Sequence, residues 1–553
     1  MIKKKFYIIN KENRTKQIET VLDILFPKYK ERSENKFSDY ENFGQYFISK
    51  EIAEFILNRI TEETYTIVIE EYNVNNNYRD SYNSVFSGKH FQVDRFCIRV
   101  SLFVGEVDNI FWFIDKNKQK ILKGRIIGFF VISPLEISHI VKALIQPRYL
   151  TSDKIYMRLS EYTCHIYGVE FKIKAFPYQM QDTETTRCAE ATILNIMDYY
   201  ANTYPEYKVV LPSDILELEK KYCHERVLPP HGITYSVLTK ILYELGFSPR
   251  LYNRRTMHNH SLTSVTQNDE MKRLLYYYVE SGMIVGVNVE PEDLRKSGHS
   301  LLCIGHGKEK DKEKAYENSE ILISENQKRI NIINSADFYK NFVVIDDNQI
   351  PYAIRSFDKL SLHDNMSVSN IAVPLYKKMF LEASDAYDIA MRLLKYKKTG
   401  LFVRAKEYLD KLKSKNIITR LFLASSNSYK IFKTEENDEQ SMEFKYFYSS
   451  ILLLPQFVWV CELYSEEGYE RGYAFGEIII DASSSAKNGI QSVISLNYPS
   501  GINFRNPSDS IEQINENFYP HQDKWCEFKG YEKNLTPIKD DEKNDDEKVD
   551  KIK

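Results

Sequence analysis

Apolar positions along the chain recur with two periods, and the switches between them outline its elements. In the first 150 residues a short opening strand precedes a helical pattern over 18–25 and two more within 43–60. Apolar runs at 66–70, 96–103, 110–114 and 125–132 predict strands, with 95–103 alternating enough to be half-buried. A β-like segment over 164–174 leads to a polar run ending at Cys188, where Ile193, Leu194, Met197 and Tyr200 take up helical spacing. Ser213 or Asp214 caps a second helix, and 228–246 gives a turn, a helix and a glycine stop. Strands at 247–252 and 283–289, a helix at 271–281, and strands after His299, at 341–346 and at 352–357 follow. Beyond residue 375 the pattern gives helices at 380–394 and 400–413, strands at 417–424, 457–461 and 476–480, and turns at 483–485 and 497–501. The expectation is an α+β chain: an N-terminal α+β domain over 1–150, a central domain over 151–375, a C-terminal α/β domain over 376–535, and a disordered charged tail over 536–553.

The polar run before the 188 helix carries the chemistry. Thr185 or Thr186 is placed to cap the first turn. A thiol at a helix N-terminus feels the positive end of the macrodipole, which favours thiolate. A glutamine a few residues upstream, Gln181 or Gln179, can set its amide beside that sulfur, where a tetrahedral oxyanion would form. A nucleophilic cysteine also needs a base and a group to orient it. His299 heads an apolar strand, and Asp346 ends another, followed by Asp347 and Asn348, either of which could orient an imidazole.

The order Gln, Cys, His, Asp in these contexts resembles the papain-like cysteine peptidases, closest to the compact bacterial branch that includes the bacteriocin-leader (double-glycine) peptidases, over roughly residues 170–375. The resemblance implies a papain-like core, a helix packed on an antiparallel sheet, flanked by the N- and C-terminal domains. It implies Cys188 as nucleophile, His299 as base, Asp346 as its orienting acid and Gln181 as oxyanion donor. Gln181 sits one residue further upstream than is common in the family, Arg187 replaces a small or acidic residue, and Asp347 stands where proline is common. The His299–Asp346 separation is long for the branch, and the charged segment 308–336 accounts for the excess if it is a solvated insertion. The implied activity is hydrolysis of a peptide or isopeptide bond through a thioester. A transglutaminase-like acyltransferase or deamidase would use the same site, and an inactive peptidase-like binding module is the reading from another class.

Composition narrows the alternatives. The 553 residues suffice for three or four domains. A net charge of −3 gives no global field toward nucleic acid or an anionic membrane; the partners that the resemblance implies are a protein or peptide substrate and a protein bound through the flanking domains. No apolar run approaches the ~18 residues of a membrane helix, and the basic head at 1–10 has too short an apolar part for a secretory signal, so no membrane insertion and a cytoplasmic location are expected. Seven scattered cysteines suit reduced thiols. Cys164–His165, Cys223–His224 and His231 lack the spacing of a zinc site, His90 and His139 have no ligand spacing around them, and His258 and His260 lie in a polar loop and are expected to be solvated. Glycines 298, 305 and 307 make no phosphate loop. No metal or organic cofactor is expected.

Overall fold

The computed structural model describes residues 5–26, 40–90, 93–135, 139–151, 153–223, 232–254, 264–291, 298–323, 329–361, 366–395, 400–412, 414–436, 441–505, 517–520 and 527–538. The protein is a mixed α/β chain built on largely antiparallel sheets. Its internal contacts divide it into two compact units: residues 1–232, 345–353 and 536–553 form the first, and 233–344 with 354–535 the second.

In the first unit, β1 (Phe6–Ile9), β2 (Tyr65–Asn73), β3 (Cys97–Val104), β4 (Ile126–Ile132) and β5 (Ile140–Ile145) form an antiparallel sheet in that order. Gly128 is required where β4 meets β5: its φ is +154°, and a Cβ there would come within 2.2 Å of the Leu144 carbonyl oxygen. A hairpin of β6 (Ser160–Ile166) and β7 (Val169–Ala175) follows. On β7, Val169, Phe171, Ile173 and Ala175 are buried while the residues between them are exposed, the period-2 pattern of a strand with one face covered. Phe171 and Ile173 join Phe103, Phe113 and Phe129 in one hydrophobic core. The expected boundary at residue 150 therefore falls inside a shared core. The helices used below are α1 (Asn76–Ser84), α2 (Cys188–Thr203) and α3 (Pro212–Tyr222). Residues 110–114, expected as a strand, are instead a turn of helix at Phe111–Ile114. Asn109 Oδ1 accepts the Phe111 N–H, and only Phe113 of the four residues is buried. Thr536–Ile538, placed in the charged tail from sequence, is a strand paired with Ile155–Met157. The rest of the tail, 539–553, lies outside the described residues.

The second unit contains α4 (Tyr235–Glu244), β8 (Arg250–Asn253), α5 (Ser264–Glu280), β9 (Val285–Pro291), β10 (His299–Gly307), β11 (Glu320–Ile323), β12 (Arg329–Asn334), β13 (Asn341–Ile345), β14 (Ala353–Ser356), β15 (Met366–Val373), α6 (Ala383–Leu394), β16 (Asn416–Ser425), α7 (Ser426–Glu435), β17 (Phe457–Ser465), β18 (Gly476–Asp481), β19 (Val493–Tyr498), β20 (Gly501–Phe504) and β21 (Phe518–Pro520). One sheet runs β14-β13-β10-β9-β15-β8, and another runs β11-β12-β16-β17-β18-β19-β20-β21. Helix α5 packs on β10 of the first and β16 of the second. Its Tyr276, Tyr277 and Tyr278 are buried.

The segment 308–336 is not a solvated excursion. Its β12 pairs in parallel with β16 and antiparallel with β11, and Ile330, Ile332 and Ile333 are buried. Asn331 Nδ2 donates to Asn416 Oδ1 at 2.8 Å. The helix expected over 400–413 breaks into Leu401–Arg404 and Lys406–Lys411.

Candidate active site

Cys188 is the first residue of α2, and its side chain is partly exposed. Helix α2 is apolar on most of its circumference. Ala189, Ala191, Ile193, Leu194, Ile196, Met197, Tyr199 and Tyr200 are all buried, as expected for a helix inside its unit. The cysteines that pack as hydrophobes differ in kind: burial pushes the Cys97 thiol up to about 12, and Cys303 and Cys461 are buried within strands. Cys526 lies outside the described residues.

The loop before Cys188 is fixed along its length. Tyr178 exchanges both backbone hydrogen bonds with Ala143 on β5, and the Met180 N–H donates to Ile140 O. The Asp182 carboxylate accepts the N–H groups of Glu184, Thr185 and Thr186, and the Asp182 N–H donates to Thr186 Oγ1. Thr183 holds φ = +63°, which is unfavourable for a β-branched residue and is sustained here by the bonds around it. Neither Thr185 nor Thr186 caps α2. The cap is Arg187, whose N–H donates to Glu190 Oε2. Both threonines are instead engaged with Asp182, because an aspartate two to four residues upstream competes for the same turn. Asp182 escaped the sequence reading, although the run Asp-Thr-Glu-Thr-Thr carries the signal of such a turn.

The two glutamines occupy different places. Gln179 is buried, and its Oε1 accepts from Asn77 Nδ2 of α1 at 2.6 Å. Gln181 is partly exposed between the pinned Met180 and Asp182.

Asp346 follows β13, where the chain passes from the second unit into the first. It is buried in a tight turn. Oδ1 accepts the Asn348 N–H at 2.9 Å, and Oδ2 accepts from Gln349 Nε2 at 2.6 Å. This turn is tied to the loop before Cys188. Tyr178 Oη donates to Gln349 O at 2.9 Å and lies 3.3 Å from Asp347 O, while Tyr352 Oη lies between Phe176 and Ile145. Within the first unit, then, the Asp346 turn and the approach to Cys188 are held by the same two tyrosines.

His299 belongs to the second unit, where it is buried at the start of β10 opposite Val289. Gly298 precedes it because a Cβ there would sit 2.9 Å from Val289 O. A Cβ at Gly307, the far end of β10, would lie 3.5 Å from Asn341 Cβ at the start of β13. The two strands are therefore antiparallel, and β13 exits toward the His299 end of β10. The strand's other histidine, His306, is committed elsewhere: Nε2 lies 2.8 Å from Glu280 Oε2 and Nδ1 2.8 Å from Gly307 O. Of the remaining histidines, His139 is buried against Ser133 Oγ, and His90 and His165 are exposed. His224, His231, His258, His260, His363 and His521 lie outside the described residues.

One feature near Cys188 was not foreseen. Glu190 on α2 and Glu219 on α3 are 1% and 2% exposed and hydrogen-bonded to each other. Burial, then the Glu190 charge and the hydrogen bond, push Glu219 up to about 9, so the pair shares one proton. An unfolded glutamate loses that proton near pH 4.5, so this contribution to stability is complete in acid and is lost as pH rises toward 9. Glu219→Gln keeps a neutral donor to Glu190. In thermal melts between pH 6 and 9.5, the variant is expected to lose less stability than the parent, by about 2 kcal/mol. Parallel losses in the two proteins would show that no proton is shared.

No protein-family model matches the sequence, and a search of curated proteins finds no match.

Proposed function

We propose that the protein is a cysteine-dependent hydrolase with a papain-like core, cleaving a peptide or isopeptide bond through Cys188, His299 and Asp346. The observation that carries this reading is the placement of Cys188, a partly exposed thiol opening a buried helix at the end of a loop fixed by the Asp182 carboxylate. The antiparallel β10 and β13 add support, since β13 leads directly into Asp346 and exits toward the end of β10 that carries His299.

In this mechanism His299 takes the thiol proton as sulfur attacks the carbonyl carbon. Gln181 and the Cys188 N–H hold the oxyanion. Gln179, already bound to Asn77, is the weaker choice for that role. The tetrahedral species collapses, the C–N bond breaks, and His299 returns the proton to the leaving amine. Water, deprotonated by His299, then hydrolyses the thioester and regenerates the thiol. Asp346 fixes the imidazole tautomer.

The test is labelling of the intact protein by an iodoacetamide probe with peptide-level mass spectrometry. Cys188 is expected to react far faster than the other thiols, and His299→Ala should remove that advantage. Equal rates at Cys188 in parent and variant would refute the triad.

A further inference from the structure

The first unit exposes a second kind of surface, away from any residue assigned above. Between β3 and β4 the chain forms two short helices, Phe111–Ile114 and Lys116–Gly124. Phe113 anchors them in the core against Phe103 and Phe171. The residues around it turn outward: Phe111 is 63% exposed, Ile114 62% and Ile121 51%. Phe111 and Ile114 are three apart and share one face of their turn. A soluble surface tolerates single apolar side chains, but several large ones within a dozen residues mark a contact surface.

The charges beside them are mostly basic: Lys116, Lys118, Lys120, Lys123 and Arg125 stand against Glu106, Asp108 and Asp115. Lys116, Lys120 and Lys123 are exposed and form no ion pair among the described residues. Lys118 and Arg125 stack on Trp112, at 5.2 and 5.3 Å from its ring. Two of these three carboxylates are tied to the segment itself: Asp115 caps the second helix through the Asn117 and Lys118 N–H groups, and Asp108 accepts from Trp112 Nε1. A basic, apolar-tipped patch thus stands on a chain whose net charge is −3.

We infer that the segment 110–124 is a docking surface for an anionic membrane, with Phe111 and Ile114 entering the headgroup region and Lys116, Lys120 and Lys123 facing lipid phosphates. Lysines alone would suit any polyanion. The aliphatic Ile114 and Ile121 gain nothing from phosphates or stacked bases, and gain from the acyl boundary. Juxtamembrane lysines add attraction to an acidic leaflet, and this attraction is screened by salt. This contact is peripheral; among the described residues no helix is long and apolar enough to cross a membrane.

The experiment is co-sedimentation of the full chain with vesicles of phosphatidylcholine alone or mixed with phosphatidylglycerol, at low and high salt. Binding is expected to the mixed vesicles only, weakening with salt. Phe111→Ser/Ile114→Ser and Lys116→Gln/Lys120→Gln/Lys123→Gln should each weaken it about tenfold or more. All substituted side chains except the half-buried stems are at the surface, so melting temperatures should match the parent and separate lost binding from lost folding. Absence of binding to anionic vesicles overturns the inference. So does undiminished binding by the Phe111/Ile114 variant, or retention by an RNA homopolymer or acidic peptide in preference to the vesicles.

Discussion

Cys188→Ser is expected to lower cleavage of a proteome-derived peptide library by about three orders of magnitude or more, with the melting temperature nearly unchanged. The chemical reason is the nucleophile. Sulfur is the stronger nucleophile and a thiol gives up its proton more easily than an alcohol, whereas a serine hydroxyl stays protonated until a base removes its proton in the transition state. The structural reason is that Cys188 carries little of the fold. Its side chain is partly exposed, the helix it opens is held by the buried residues from Ala189 to Tyr200, and the loop before it is held by Asp182. Gln181→Ala should cost less, about a hundredfold, because it removes one oxyanion donor and leaves the Cys188 N–H. Mass-spectrometric counting of new peptide termini reads both variants. If Cys188→Ser cleaved at the parent rate, the nucleophile would lie elsewhere.

The parts of this site that were legible in the sequence are those set by local pattern. Helix α2 was visible because small residues and a 3.6-residue apolar period begin together at Cys188. The strands of His299 and Asp346 were visible as unbroken apolar runs between turn residues, the signature of strands buried on both faces. What failed was decided by competition that a linear pattern does not record. The helix cap went to Arg187 because Asp182 had already captured the N–H groups of the threonines. Residues 110–114 read as a strand because five apolar residues stand in a row, yet flanking Asn109 and Asp115 supply helix-start hydrogen bonds and only Phe113 finds a core. The boundary at 150 failed because the single β-like segment read over 164–174 is a hairpin turning at Tyr167–Gly168, and the alternation on its second strand, β7, does not say which sheet it covers. The shared proton of Glu190 and Glu219 joins residues on two helices, and nothing in either helix's own sequence pairs them.

Deleting 308–336 and joining its ends by a short turn is expected to unfold the second unit or lower its stability by on the order of 5 kcal/mol. Charge hid this segment's role. Lys, Glu and Asn dominate its first half, but Arg329-Ile-Asn-Ile332 alternates, and that alternation is β12. Removing it strips β16 of a parallel neighbour, so the backbone groups paired from Asn416 to Thr419 would face water. Thr419 Oγ1 would lose Ile333 O, and Asn416 would lose Asn331. Ile330, Ile332 and Ile333 would leave the core with Leu322, each isoleucine worth about 1.5–3 kcal/mol of burial. A deletion this large can fail for trivial reasons, so Ile332→Ala and Ile333→Ala are the sharper measurement. Each should cost about 2–4 kcal/mol in urea unfolding followed at Trp459, which is buried in the neighbouring β17. A segment lying free in solvent would give almost no change in either single variant, and that result would return 308–336 to the status of an excursion from the sheet.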